Sequence, residues 1–323
     1  MAAIEITLGV DIGGTNTVFG YVDRKGNCLA SASIPTNAHQ QAELYFDRLQ
    51  GAAKTLFSNI KESTQLVGIG IGAPNANYYK GTIERPPNLS WEYVDVRATL
   101  KQYYSVPVTI TNDANAAALG EMRFGAAQGM KDFIVITLGT GLGSGIVANG
   151  ELIYGADGFA GEIGHTIVDP EGRQCGCGNR GCLETYASAT GLCRTAFELI
   201  CKSTEPSELR AASYEKLTSR MVYEMAQRGD RLALEAFEYT GKILGTKLAD
   251  SVAHLSPEAI IFFGGLALAG DLIFKPTKQA LEQHLFPNFK NKVKLLPSRL
   301  TAGNPAVLGA SALIWTDLER KAI

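Results

Sequence analysis

Apolar residues at the start of the chain fall in short blocks bounded by glycine, asparagine and aspartate, not at helical spacing. Segments 5 to 11, 17 to 23 and 28 to 34 therefore read as the strands of a meander, with Lys25-Gly26-Asn27 as a hairpin turn. Residues 40 to 60 suit a helix, and QLVGIGIGAP is a buried strand that stops at Pro74. The stretch around Pro86-Pro87-Asn88 and Trp91 shows neither period and reads as a loop on the surface or over a cleft. VPVTIT is a strand ending at Thr111, and an alanine-rich helix follows from Ala114. From Phe133 the opening plan recurs: strand, glycine-threonine turn, strand, Asn149-Gly150 hairpin turn, strand. Beyond residue 184 the pattern becomes mostly helical. Phe237, Leu244, Leu248, Val252 and Leu255, spaced by three, four or seven, mark the core-facing stripe of a helix over 230 to 255. AIIFFGG supplies one more buried strand, and NPAVLGASALIW a closing helix with Pro305 near its first turn.

Strands alternating with helices predict an α/β architecture. At 323 residues the chain exceeds the size at which one core stops growing, and the repeated glycine-turn hairpin suggests two related halves facing one another across a cleft. The expected division is 1–115 and 116–302, with a closing helix at about 303–323 packing back on the first part. Thirty basic residues against thirty-two acidic give no bulk electrostatic support for binding nucleic acid or a membrane surface. The first ten residues carry Glu5, lack a basic start and do not resemble a secretion signal, and no apolar run reaches the eighteen or so residues of a membrane helix. A cytoplasmic, reducing setting is expected, where the six cysteines would not form disulfides.

Thirty-five glycines cluster in 68–72, 139–145, 176–181 and 264–265, marking tight turns or places where backbone closely approaches a ligand. No P-loop is present, and Pro74 breaks the near match of Gly68, Gly70 and Ala73 to a dinucleotide fingerprint. DIGGT at 11–15 and GTGLGSG at 139–145 are each turns between two strands. Exposed N–H groups and threonine hydroxyls in two such turns could hold a polyphosphate, and ordinary tight hairpins are the alternative. Cys175, Cys177 and Cys182 crowd into eight positions, while Cys28, Cys193 and Cys201 have no local partner and read as small buried hydrophobes.

DIGGTNT, TNDANAAALGE, TLGTGLGSGIV, GEIGH followed by CGCGNRGCLE, and FFGG, in this order, resemble the ROK family of bacterial sugar kinases, its glucokinases in particular. The resemblance covers the chain from about Val10 to the closing helix. It implies an actin-like ATPase fold, with two ribonuclease-H-like domains and with ATP and sugar in the cleft between them. It also implies that His165, Cys175, Cys177 and Cys182 hold a structural zinc ion, a closed set of three thiolates and one imidazole. Asp113 would be the catalytic base that takes the proton from the sugar's 6-hydroxyl, and a plain helix N-cap is the other reading of an aspartate there. Asn112, Asp113, Glu162, His165 and Glu184 would surround the sugar, His165 through the ring nitrogen that the zinc leaves free. Asn88 is a weaker candidate for the same task. Asp11 would orient Mg²⁺, Gly13, Gly14, Thr15, Thr140 and Gly141 would form the phosphate turns, and Gly264 and Gly265 would let adenosine lie against backbone.

The function expected on this resemblance is transfer of the γ-phosphate of ATP to O6 of glucose, with N-acetylglucosamine or N-acetylmannosamine as the alternative acceptor. A homodimer is expected on the same ground. Some family members are sugar-sensing repressors that carry a helix-turn-helix ahead of the kinase-like part. The first strand, predicted within about five residues of Met1, leaves no room for one, which makes a repressor the remote alternative.

Overall fold

The computed structural model describes residues 3–300 and 304–321. By contacts the chain divides into two compact units, one made of 1–130, 145–161 and 298–323 and the other of 131–144 and 162–297. In the first unit β1 (Ile4–Ile12), β2 (Asn16–Asp23) and β3 (Cys28–Pro35) form the predicted meander. Asp23 holds its second turn by accepting from the N–H groups of Lys25 and Asn27, each at 2.8 Å. Helix α1 (Ala42–Ser58) buries Tyr45, Phe46, Leu49 and Ala53. Strand β4 (Thr64–Gly72) runs parallel to β1. Three short strands follow, β5 (Ala76–Asn77), β6 (Thr82–Glu84) and β7 (Tyr93–Asp95), which make a small antiparallel sheet. The stretch read as a loop thus has ordered flanks, and its Trp91 is buried against Tyr45 and Phe46 with its indole N–H on the Gln40 carbonyl. After α2 (Val96–Lys101), β8 (Val108–Thr111) pairs parallel with β4, giving the sheet order β3-β2-β1-β4-β8. Helix α3 (Asp113–Phe124) leaves from the end of β8. The division expected at 115/116 falls inside this helix, and all of α3 lies in the first unit.

The second sheet contains β9 (Phe133–Leu138), β10 (Leu142–Ala148), β11 (Glu151–Leu152), β12 (Ala259–Phe263) and β13 (Lys294–Pro297). Its order is β11-β10-β9-β12-β13. An antiparallel hairpin end followed by parallel strands repeats the plan of the first sheet, so the faint sequence repeat is a repeat of topology. Asn149 (φ 54°) and Gly150 (φ 77°) make the β10–β11 turn, the left-handed pair that an Asn-Gly hairpin requires. Among the described residues the second unit includes the α-helices α4 (Ala189–Lys202), α5 (Ser219–Gln227), α6 (Arg231–Leu255) and α7 (Asp271–His284). The predicted stripe of α6 is buried at Phe237, Leu244, Leu248 and Val252, while Leu255 is only partly so.

The closing helix α8 (Pro305–Lys321) returns to the first unit; positions 301–303 and 322–323 of the expected span lie outside the described residues. It explains most of one glycine cluster. A Cβ at Gly70 would overlap the Ala310 carbonyl, one at Gly9 the Val307 carbonyl, and one at Gly68 would press on Ile314. Gly68 and Gly70 therefore admit a helix, not a ligand, to the face of β4. Thr7 Oγ1 and Ser311 Oγ, 2.7 Å apart, tie the same surfaces together.

Candidate active site and metal centre

Parallel pairing in the first unit sets Asp11 of β1 level with Gly72 of β4, and Gly72 level with Thr111 of β8. The carboxyl ends of parallel strands are where α/β sheets expose their binding crevices. Two residues beyond Thr111 the chain turns into α3, and Asp113 becomes its first residue. Asn112 caps the helix, its Oδ1 accepting from Ala114 N–H at 2.8 Å, and Asp113 Oδ1 accepts from the same N–H at 2.8 Å. Asp113 thus touches the helix terminus, as the capping reading required, yet the cap position itself belongs to Asn112. Gly72 is the spacer between the two acids: a Cβ there would stand 3.6 Å from Asp11 Oδ1 and 3.5 Å from Asp113 Cα.

The two carboxyls are electrostatically uncomfortable. Desolvation, then repulsion from Asp113, pushes the Asp11 pKa up to about 7. Loss of hydration also raises Asp113, partly offset by the Ala114 N–H. The Asp113 side chain remains reachable by water. Crowding by surrounding protein, not sealing from solvent, is what raises it. Between β1 and β2 the DIGGT turn is closed by Gly13 N–H on the Asn16 carbonyl at 3.1 Å. Thr36 braces it by donating from Oγ1 to the Gly13 carbonyl at 2.7 Å and from N–H to the Thr15 carbonyl at 2.9 Å. Thr15 is exposed, and Asn88 lies directly against Gly14, where a Cβ would meet Asn88 Cβ at 2.7 Å. Asn88 therefore borders the glycine turn itself.

In the second unit the turn between β9 and β10 is closed by Gly139 N–H on the Gly141 carbonyl at 3.1 Å and steadied by Gly143 N–H on Thr137 Oγ1 at 3.1 Å. Thr140 is exposed, and a Cβ at Gly139 would meet nothing within 4 Å, so the turn is open on that side. Gly264, at φ 100°, ends β12 where a Cβ would strike the Leu138 carbonyl, and Gly265 faces open space. Glu184 reaches the glycine turn: its Oε2 accepts from Leu142 N–H at 3.2 Å, and a Cβ at Gly141 would push that carboxylate aside.

His165, Cys175, Cys177 and Cys182 converge, with ligand atoms all within 4.8 Å of one another. Cys177 Sγ and Cys182 Sγ are 3.6 Å apart, and Cys175 Sγ lies 3.7 Å from His165 Nδ1. Tetrahedral zinc with Zn–S of about 2.3 Å needs sulfurs about 3.8 Å apart, so both the spacing and the donor set fit a closed zinc site. Burial pushes the Cys175 thiol up to about 12; a metal must displace that proton, and its affinity will fall as pH drops. His165 faces the cluster with Nδ1 and has Nε2 3.9 Å from Glu162 Oε2. Glu184 Oε1 stands 3.4 Å from Cys175 Sγ, so one carboxylate touches both the glycine turn and the cysteine cluster. Cys193 is buried as expected, Cys28 is partly buried and Cys201 is exposed.

Asp11, Asn112, Asp113, the DIGGT turn and Asn88 thus gather in the first unit. Thr140, Gly141, Glu162, His165, Glu184 and the glycines after β12 belong to the second. Gly72 lay inside the 68–72 glycine cluster, but its place as the spacer between two acids shows only in the fold.

The chain is 39% identical to a glucokinase of Halalkalibacterium halodurans over 95% of this chain and 94% of that protein. It is 31% identical to a xylose repressor of Caldicellulosiruptor bescii over 90% of this chain and 72% of that protein. A crystal structure of a ROK family glucokinase from Streptomyces griseus in complex with glucose and AMPPNP superposes with a TM-score of 0.80 at 34% identity, covering 95% of this chain and 98% of that one. The ROK family model matches residues 7–317, nearly the whole chain, and with the two-sheet fold and these relatives it shows that the chain belongs to the ROK family.

Proposed function

We propose that this chain is an ATP-dependent sugar kinase that transfers the γ-phosphate of ATP to O6 of glucose. The observation that carries the reading is the placement of Asp113: at the start of α3, its carboxyl raised by desolvation, one spacer glycine away from a second carboxyl, Asp11. Full-length similarity to a glucokinase selects the sugar. Asp113 accepts the proton of the 6-hydroxyl as that oxygen attacks the γ-phosphorus, and its raised pKa makes it the stronger base. Positioned bases contribute roughly 10²–10⁴-fold. Asn112 fixes the helix terminus with its Oδ1, which leaves its amide N–H groups to donate to a sugar hydroxyl.

Asp11 and Asp113 fit a divalent cation, because a positive ion beside them offsets the desolvation, and then the repulsion from Asp113, that raise Asp11. Mg²⁺, when bound, supplies charge neutralisation for the transferring phosphoryl group. The N–H groups and threonine hydroxyls of Gly14, Thr15, Thr140 and Gly141 suit phosphate oxygens, Gly13 shapes the first turn through its own N–H on the Asn16 carbonyl, and Gly264 and Gly265 leave backbone bare for adenosine. Glu162 and Glu184 accept bonds from sugar hydroxyls, and His165 donates from Nε2. His165, Cys175, Cys177 and Cys182 would hold Zn²⁺, whose contribution is to fix the loop and the imidazole's orientation. Assembly as a homodimer belongs to the same proposal.

Two other readings have support. An N-acetylhexosamine acceptor offers the same 6-hydroxyl to Asp113. A non-catalytic sugar sensor draws on the repressor similarity, but the chain covers 72% of that repressor against 94% of the glucokinase it resembles. Incubation with Mg²⁺-ATP and ¹³C-glucose, with the product identified by NMR, tests the proposal. Glucose 6-phosphate supports it; no sugar phosphate, or phosphate on another oxygen, overturns it.

A further inference from the structure

The loop that supplies three cysteines and Glu184 is short of regular structure. It contains one turn of 3-10 helix (Leu183–Thr185) and two isolated β-bridges. Something else must fix its shape. Arg173, two residues ahead of the first cysteine, is 6% exposed. Its Nε and Nη2 grip Glu198 of α4 at 3.1 and 2.7 Å, and Nη2 also donates to Thr195 Oγ1 at 2.9 Å. Nη1 donates to the Thr185 carbonyl at 2.7 Å and to the Gly191 carbonyl at 3.3 Å. All five guanidinium N–H groups are thereby used. The face of the guanidinium lies 4.4 Å over the Tyr186 ring, and the Tyr186 hydroxyl accepts from Arg173 N–H at 3.0 Å. The Arg173 carbonyl in turn accepts from Gly181 N–H at 2.8 Å, next to Cys182.

One buried cation thus joins the start of the loop, its end beside Glu184, and helix α4. Burying a guanidinium is costly unless it is fully paired. Here one donor is spent on the Thr185 carbonyl at the loop's end, next to Glu184, while the others hold Glu198, Thr195 and the Gly191 carbonyl of α4. We propose that Arg173 is a positioning residue that sets the Glu184 carboxylate for its substrate contact and holds the cysteine loop in its metal-binding shape. The claim rests on the sugar-kinase reading for its first half only.

Lysine keeps the charge opposite Glu198 but offers a compact ammonium with three donors, which cannot span from Glu198 to the Thr185 carbonyl. The test uses the full chain loaded with zinc, in variants Arg173→Lys, Glu198→Gln, Glu184→Gln and the Arg173→Lys/Glu184→Gln pair. Glucose Kd by calorimetry, kcat, KM for ATP, and zinc retention against a competing chelator are read for each. Arg173→Lys is expected to weaken glucose binding by about tenfold with KM for ATP within about twofold, and Glu198→Gln to do the same more weakly. If Arg173 acts through Glu184, the double variant binds glucose within about twofold of Glu184→Gln alone. Effects of Arg173→Lys and Glu184→Gln that simply multiply would overturn the positioning role, as would unchanged glucose binding in Arg173→Lys. Zinc should be lost faster from Arg173→Lys than from Glu184→Gln. Equal retention in wild type and Arg173→Lys would overturn the loop half. If no variant, wild type included, binds glucose, the sugar-kinase reading fails, and the chelator comparison still decides whether Arg173 holds the loop.

Discussion

Replacing Asp11 by asparagine should make the protein more stable in neutral and alkaline solution, at the expense of its catalysis. Asp11 has a pKa raised from 3.8 to about 7, first by desolvation and then by Asp113. A carboxyl raised in the folded state holds its proton more tightly there than in the unfolded chain, so between about pH 4 and pH 7 the folded state binds more protons. Stability therefore falls as pH rises through that window, and the full penalty is present above about pH 7. About three pKa units at 1.36 kcal/mol each set a ceiling of about 4 kcal/mol. Partial access of water to Asp11 halves this to about 2 kcal/mol, or about 4–8 °C in the melting temperature of a domain this size. Thermal unfolding of metal-free wild type and Asp11→Asn, compared from pH 4.5 to pH 8.5, reads the difference directly. The gap should open with rising pH and close toward pH 4.5. Added Mg²⁺ should narrow it at pH 8 by stabilising the wild type alone. Asp11→Asn equal to or less stable than wild type at pH 8 would refute the view that these two carboxyls are held in conflict for function.

Asp113→Asn should lower kcat by at least about a hundredfold while glucose Kd by calorimetry stays within about tenfold, since the amide keeps the shape and loses the basicity. Cys182→Ser should lower zinc content, measured by metal analysis, from about one per chain and lower thermal stability with it. Gly70→Ala should destabilise by about 3 kcal/mol in urea unfolding because its Cβ would overlap the Ala310 carbonyl; a loss below about 0.5 kcal/mol would mean that α8 can move away from the sheet.

Much of the fold was legible because its signals are local. The β1–β2–β3 meander and the β9–β10–β11 hairpins announce themselves through alternation and turn residues, and α6 through its stripe. The strands β5, β6 and β7, two or three residues each, are too short to show any period. Glycine was ambiguous: nothing in QLVGIGIGAP says whether Gly70 clears space for a ligand or, as it does, for a helix that arrives 240 residues later. Of the proposed metal ligands, the three cysteines stand out by spacing, whereas His165 entered only through the family resemblance. Arg173 gave no local signal, since Thr195 and Glu198 lie 22 and 25 residues away and only the folded chain brings them to it.

Glucose is the proposed acceptor. A coupled ADP-release assay with saturating Mg²⁺-ATP, run across glucose, mannose, fructose, N-acetylglucosamine and N-acetylmannosamine, compares kcat/KM for each. Sites built to pair hydroxyls can reject analogues that lack them by as much as about 10⁴–10⁵-fold. Glucose should give the highest kcat/KM of the set, and an N-acetylated sugar exceeding it by more than about tenfold would contradict the account and assign the chain to the N-acetylhexosamine alternative.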